Sequence, residues 1–278
     1  MKTVEGTKVK IAVIDMNNGT ANQGMRGIQE ILYRYRDEHK LDLSFDIFDL
    51  RQKGEIPDLD YDIYISSGGP GSPYDGEGLK WENDFFDLLT DIEKFNNNNE
   101  SVKKHAFLIC HSYQLGCRKF NVGEVIQRRS TAFGIFPVFL TDQGTKDLIF
   151  EGLSNPFFTV DSRDWQVVGV DESGENQYAN VLALEKERPH VDLERCIMSV
   201  RFTNEIVGTQ FHPEADPVGM KMYLLREDKK EAIIANHGVE KYQDMLSSLD
   251  DANKLERTQQ VILPNFITEA LNALKEEA

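Results

Sequence analysis

Along the first 120 residues the apolar positions switch back and forth between two spacings. Residues 8–15 (KVKIAVID) are a β-branched run ending at Asn17-Asn18-Gly19, which predicts a strand followed by a turn. Over residues 21–40, Met25, Ile28, Ile31 and Leu32 recur at helical spacing. The same alternation continues with strand patterns over 43–50 and 62–67, a helix over 79–95, a strand over 104–110 and a helix over 112–120. Short apolar runs separated by amphipathic helices predict an α/β fold with a mostly parallel central sheet, because parallel neighbours need crossover helices that cover both faces.

From residue 124 to 212 the texture changes. β-rich runs lie close together at 134–140, 157–160, 191–193 or the nearby 196–202, and 205–210, a density that suits hairpins and an antiparallel extension of the sheet. Beyond Pro217 the pattern is helical, with Met220, Tyr223 and Leu224, then Ile233 and Ile234, then Val261 to Ile267 and Leu271. No Gly-, Ser- or Pro-rich linker sets this stretch apart, so residues 217–278 are expected to be a helical extension packed on the domain formed by 1–216. Residues 96–99, all asparagine, read as a polar loop.

Composition narrows the functional classes. A chain of 278 residues, 40% hydrophobic, has enough apolar material for a large core. The opening MKTVEGTKVK has no apolar h-region and the apolar runs are of strand length, so a cytoplasmic protein without a membrane span is expected. Three cysteines, Cys110, Cys117 and Cys196, form no disulfide framework. A net charge of −16 argues against nucleic acid as the main partner. The His and Cys residues lack metal-ligand spacing, and nothing asks for an organic cofactor.

Candidate chemistry is confined to three stretches far apart in the chain. Cys110 closes the apolar strand Ala106-Phe107-Leu108-Ile109, and a helical pattern starts directly after it. Such a corner is a nucleophile elbow: it lifts a side chain clear of the sheet, and a thiol at a helix N-terminus has its thiolate favoured by the dipole. A cysteine after a strand is ordinarily a core residue, as Cys117 and Cys196 are expected to be; Cys110 is set apart by its company. Gly68-Gly69-Pro70-Gly71 follows another strand, where glycines let backbone N–H groups approach a ligand. Gly208-Thr209-Gln210-Phe211-His212-Pro213-Glu214 offers a base followed two residues later by a carboxylate. His111 is a rival base by adjacency, although neighbouring residues on an elbow point in different directions.

Cysteine, then histidine, with glutamate two residues on, resembles the class I glutamine amidotransferase domain, and the likeness runs from about residue 8 to 216. The resemblance implies a catalytic triad of Cys110, His212 and Glu214, with the backbone of Gly69 and His111 facing the oxyanion and Gly71 and Gln114 in the substrate pocket. It implies that Cys110 attacks the side-chain amide of glutamine to give a γ-glutamyl thioester and ammonia. In this family ammonia passes to a synthase; with no phosphate loop in the chain, that synthase is expected to be a separate polypeptide. Departures exist: the family usually shows Gly-x-Cys-x-Gly-x-Gln at the elbow, and here Leu108 and Ser112 replace the two glycines. Ala132 and Arg163 also stand where the family often has Glu and His. These changes keep open a γ-glutamyl amide or peptide hydrolase of the same fold, an acyltransferase on homoserine, and a non-catalytic binding or regulatory subunit.

Overall fold

The alternating pattern resolves into elements in the predicted order. The computed structural model describes residues 8–20, 22–169, 180–188, 193–249, 251 and 254–275. The first part of the chain forms β1 (Lys8–Asp15), α1 (Gly24–His39), β2 (Asp42–Asp49), α2 (Leu50–Lys53), β3 (Ile63–Ser66), α3 (Lys80–Asn98), β4 (His105–Ile109) and α4 (His111–Lys119). There follow β5 (Glu124–Leu140), β6 (Phe157–Val168), β7 (Asn180–Glu185), β8 (Ile197–Arg201) and β9 (Ile206–Thr209). The chain closes with α5 (Pro217–Leu224), α6 (Glu227–His237), α7 (Val239–Leu249) and α8 (Leu255–Lys275).

These strands form one sheet in the order β2-β1-β3-β4-β9-β8-β7-β5-β6. β2, β1, β3, β4 and β9 are mutually parallel, and every pairing from β9 outward to β6 is antiparallel. Central strands read as unbroken apolar runs because both of their faces are covered. On one side Val9, Ile11, Val13, Phe107 and Ile109 meet Ile28, Ile31 and Leu32 of α1 and Ile262, Phe266 and Ile267 of α8. On the other, Ala12, Ile14, Tyr64, Ala106 and Leu108 meet Phe85, Leu88 and Ile92 of α3 and Leu115 of α4. Each such buried Val, Leu, Ile or Phe side chain contributes about 1.5–3 kcal/mol, so this double layer fixes the strand ends from which the site is built.

The helical segment after Pro217 divides in two. α8 belongs to the sheet's own core, where Phe266 meets Phe107 edge to face at 5.1 Å. α5, α6 and α7 instead gather around Leu224, Ile233, Tyr242, Met245 and Leu249, against Val160 of β6 and Phe133 and Ile135 of β5. Asp216 caps α5 by accepting from the Gly219 N–H at 2.9 Å, with Pro217 in the first turn.

Two expectations need correcting. Residues 96–98 are not loop but the last turn of α3, where Asn96 is buried and holds Lys104 through both its amide oxygen and nitrogen, at 2.8 Å each. The run at 134–140 is only the end of the 17-residue β5, which pairs with β6 through an irregularity between Gln127 and Ala132. Of the two alternatives around residue 196, the strand is Ile197–Arg201; residues 191 and 192 lie outside the described residues.

Candidate active site

β3, β4 and β9 lie side by side in the parallel half of the sheet, so their carboxyl ends share one crevice. Out of that crevice rise the three stretches singled out in the sequence. Cys110 links β4 to α4 with φ 49° and ψ −98°, a region that side chains with a Cβ rarely occupy. Its N–H donates to the Thr209 carbonyl at 2.7 Å, which ties the elbow to β9.

Both replacements of elbow glycines are accommodated. Leu108 is buried in the core, where two other glycines lie against it. A Cβ on Gly116 would lie 2.6 Å from Leu108 Cδ1, and one on Gly208 would lie 3.1 Å from Leu108 Cβ. Ser112 is also buried; its hydroxyl lies 2.7 Å from Ser66 Oγ and donates to the Ser67 carbonyl at 2.6 Å. The extra atoms thus bond the elbow to the strand that carries the glycine loop.

His212 follows β9 and is held by a bridge to β6, its N–H donating to the Val160 carbonyl at 3.0 Å. Nδ1–H donates to Glu214 Oε1 at 2.8 Å, which leaves Nε2 for the sulfur. Burial acts to lower the imidazole pKa, but the charges and hydrogen bonds of Glu214 and Cys110 outweigh it, and the net shift is well upward. Glu214 is itself buried, and α1 makes room for it: a Cβ on Gly24 would lie 2.9 Å from Glu214 Oε1, and one on Gly27 only 2.3 Å from the Glu214 carbonyl oxygen. These two glycines were not among the residues picked out from the sequence.

The glycine loop faces the pair directly. A Cβ on Gly68 would come within 2.8 Å of His212 Cε1 and 3.4 Å of Cys110 Cβ, while one on Gly69 would lie 2.3 Å from the Met16 carbonyl. Close approach therefore requires those two glycines, and only Gly71, at φ 94°, needs the left-handed freedom. Arg51 clamps the loop from outside, its Nη1 donating to the Pro70 carbonyl at 2.7 Å and the Met16 carbonyl at 3.1 Å.

The His111 side chain turns away from this group. It is buried near Trp81, 6.4 Å between ring centres, and neither ring nitrogen has a hydrogen-bond partner among the described residues. Burial, with Arg51 and Arg118 nearby, pushes its pKa down to about 3. The neutral form is favoured by folding, so this contribution to stability is complete above the unfolded value near 6.5 and is lost as the pH falls toward 3. His111→Phe is expected to fold at pH 7 within about 1.5 kcal/mol of the parent and to show a shallower loss of stability from pH 6.5 to 4. Urea midpoints at pH 7 and 4.5 test this; parallel declines in the two proteins would refute it.

The crevice opens into a cavity of about 750 Å³, lined by all four residues of the glycine loop, by Cys110, Gln114, His212 and Glu214, and by Met220 and Tyr223 of the helical segment. Gln114 is buried and donates from Nε2 to the Trp165 carbonyl at 3.3 Å and to Gln210 Oε1 at 3.1 Å. Gln210 was overlooked in the sequence although it stands two residues before His212. Thr131, Asp164 and Trp165, from β5 and β6, also reach the cavity. Arg163 is buried with Nε on both oxygens of Asp161, at 2.8 and 2.9 Å. Among the described residues no His, Cys, Asp and Glu cluster is arranged to hold a metal ion, and no helix is long and apolar enough to cross a membrane.

A mixed α/β sheet whose parallel strand ends bring together a thiol on an elbow, a histidine–glutamate pair and a glycine loop is the architecture that the sequence predicted. The sequence profile of the class-I glutamine amidotransferase family matches residues 27–232, and the chain belongs to that family. Solved structures agree on the fold. A glutamine amidotransferase from Thermotoga maritima superposes with a TM-score of 0.67 at 15% identity, covering 95% of this chain and 99% of that one. One from Methylobacillus flagellatus gives 0.62 at 13% identity, with 94% and 95% covered. The glutaminase domain of CTPS from Trypanosoma brucei, solved with bound acivicin, gives 0.58 at 12% identity, with 98% and 95% covered. No curated protein matches the chain.

Proposed function

We propose that the protein hydrolyses the side-chain amide of glutamine at Cys110 and delivers the ammonia to a separate synthase. The observation that carries this reading is the His212–Glu214 bond of 2.8 Å beside a thiol held at positive φ. His212 takes the thiol proton, and the sulfur adds to the amide carbon. The oxyanion so formed meets the Gly69 N–H from the glycine loop and the His111 N–H at the first turn of α4, a position with no helical acceptor of its own. The C–N bond breaks as His212 returns the proton to the nitrogen, ammonia leaves, and water, activated by the same imidazole, converts the γ-glutamyl thioester to glutamate and free thiol. Both amide protons of Gln114 are committed to Trp165 and Gln210, so only its Oε1 can meet a ligand, and the glutamine α-ammonium is the matching donor.

Two features support a synthase partner. The CTPS relative is a glutaminase domain, and α5 carries exposed Val218 and Met222, with exposed Leu225 after it, beside a cavity mouth that includes Arg226 and Lys229. A second reading, hydrolysis of larger γ-glutamyl amides, is favoured by the cavity volume and by its wall of Met220 and Tyr223 from this same chain. Treating the protein with a glutamine-mimicking electrophile, beside a small general thiol reagent and a Cys110→Ser control, tests the proposal by peptide mass spectrometry. Glutamine-protectable labelling confined to Cys110 is expected. Modification of Cys110 by the general reagent alone would sink the glutamine reading and turn the search to other γ-glutamyl amides.

A further inference from the structure

Gln210 is completely buried, and among the described residues its side chain has two partners: Gln114 at one end and the Cys110 sulfur at the other, with Nε2 to Sγ at 3.7 Å. An amide can be turned end for end, so the polarity of this contact has to be argued. The Trp165 carbonyl settles it, because a backbone oxygen only accepts. It obliges Gln114 to present its nitrogen on that side, and the same nitrogen donates to Gln210 Oε1. Gln210 is then left with its N–H groups directed at the sulfur. The Ser162 carbonyl lies 3.9 Å from Sγ and suits the protonated thiol, whereas a thiolate needs donors.

We propose that Gln210 is a further catalytic residue, donating an N–H to the Cys110 sulfur and stabilising it as the thiolate, with Gln114 as the positioning residue that fixes the direction of the amide. The inference rests on Cys110 being the nucleophile and concerns the sulfur, not the substrate. His212 supplies a donor whose presence depends on pH; Gln210 supplies one that does not. Other ionisable groups face the same space: Glu214 behind His212, from β6 Asp164 and the buried Arg163 paired with Asp161, and from the segment after β9 Asp216, Tyr223, Arg226 and Lys229. They are common to parent and variant, so the difference between the two reports on Gln210.

The test is the rate of Cys110 alkylation by iodoacetamide from pH 5 to 10, followed by peptide mass spectrometry on the full chain. Gln210→Leu removes the donor while leaving an apolar side chain of similar bulk. Its rate at pH 7 is expected to fall about tenfold, the scale of one hydrogen bond to a charged group, with the rise of the rate–pH curve moved to higher pH and the alkaline plateau preserved. Gln114→Leu, which leaves Gln210 in place but free to turn, is expected to move the curve the same way by a smaller amount. A Gln210→Leu curve that overlays the parent, or that falls equally at every pH, overturns the proposal. Should Gln210→Leu fail to fold, the Gln114→Leu curve decides in the same manner. Glutamine protection of the parent, measured alongside, reports separately on the substrate, so a protein that ignores glutamine can still show or lack the Gln210 effect.

Discussion

Replacing Cys110 by glycine is expected to abolish activity and yet give a more stable protein than replacing it by alanine. Ordinarily alanine is the more stabilising of the two, because glycine loses more backbone freedom on folding. At φ 49° and ψ −98° the order should invert, since a Cβ there carries strain of about 1–3 kcal/mol that glycine does not. Both variants lose the sulfur, and turnover should drop about 10⁵-fold or more, as when a nucleophile acting in concert with its base is removed. Denaturant unfolding should place Cys110→Gly about 1 kcal/mol above Cys110→Ala. An alanine variant as stable as the glycine one would show that the elbow stores no strain.

Glu214→Gln is expected to lower kcat for ammonia release by about 10³–10⁴, with KM changed far less. The substitution conserves shape, which matters because Gly24 and Gly27 leave no spare room around this side chain. What it removes is the charge that holds His212 protonated, and it allows an amide N–H to face Nδ1, which would put the ring proton on the nitrogen that should face the sulfur. The consequence for pH follows in sign. Because the folded pKa of His212 is raised, its pairing contributes stability that is complete below about 6.5 and lost as the pH climbs through the raised value. The variant should show a smaller alkaline loss, because only the Cys110 contribution remains, and unfolding midpoints from pH 6 to 10 would show it. Retention of kcat within tenfold would remove Glu214 from the mechanism.

The sheet was readable because its central parallel strands are buried on both faces and so print as apolar runs, as in Ala106-Phe107-Leu108-Ile109. The proximity of Cys110, His212 and Glu214 has a different origin: His212 and Glu214 are two residues apart, and β9 sits beside β4 whatever lies between them in the chain. Features that depend on remote partners were not. Asn96 looks like loop until Lys104 is seen to satisfy it. Most of β5 from Gln127 to Thr131 is polar and partly exposed, so nothing in its composition announces a strand. Gln210 sits inside a recognisable motif, but its importance lies in contacts 96 and 100 residues away in sequence, to Gln114 and Cys110.

The packing of Leu108 against the glycines at 116 and 208 has a consequence for any change made at the elbow. Judged one position at a time, Leu108 looks like a lost elbow glycine; judged as occupied space, its bulk sits where Gly116 and Gly208 carry no side chain. Glycine at 108 alone would therefore open a void where Leu108 now packs, and enlarging Gly116 alone would collide with Leu108. The three positions form one packing unit, and the elbow closes only while their combined volume fits.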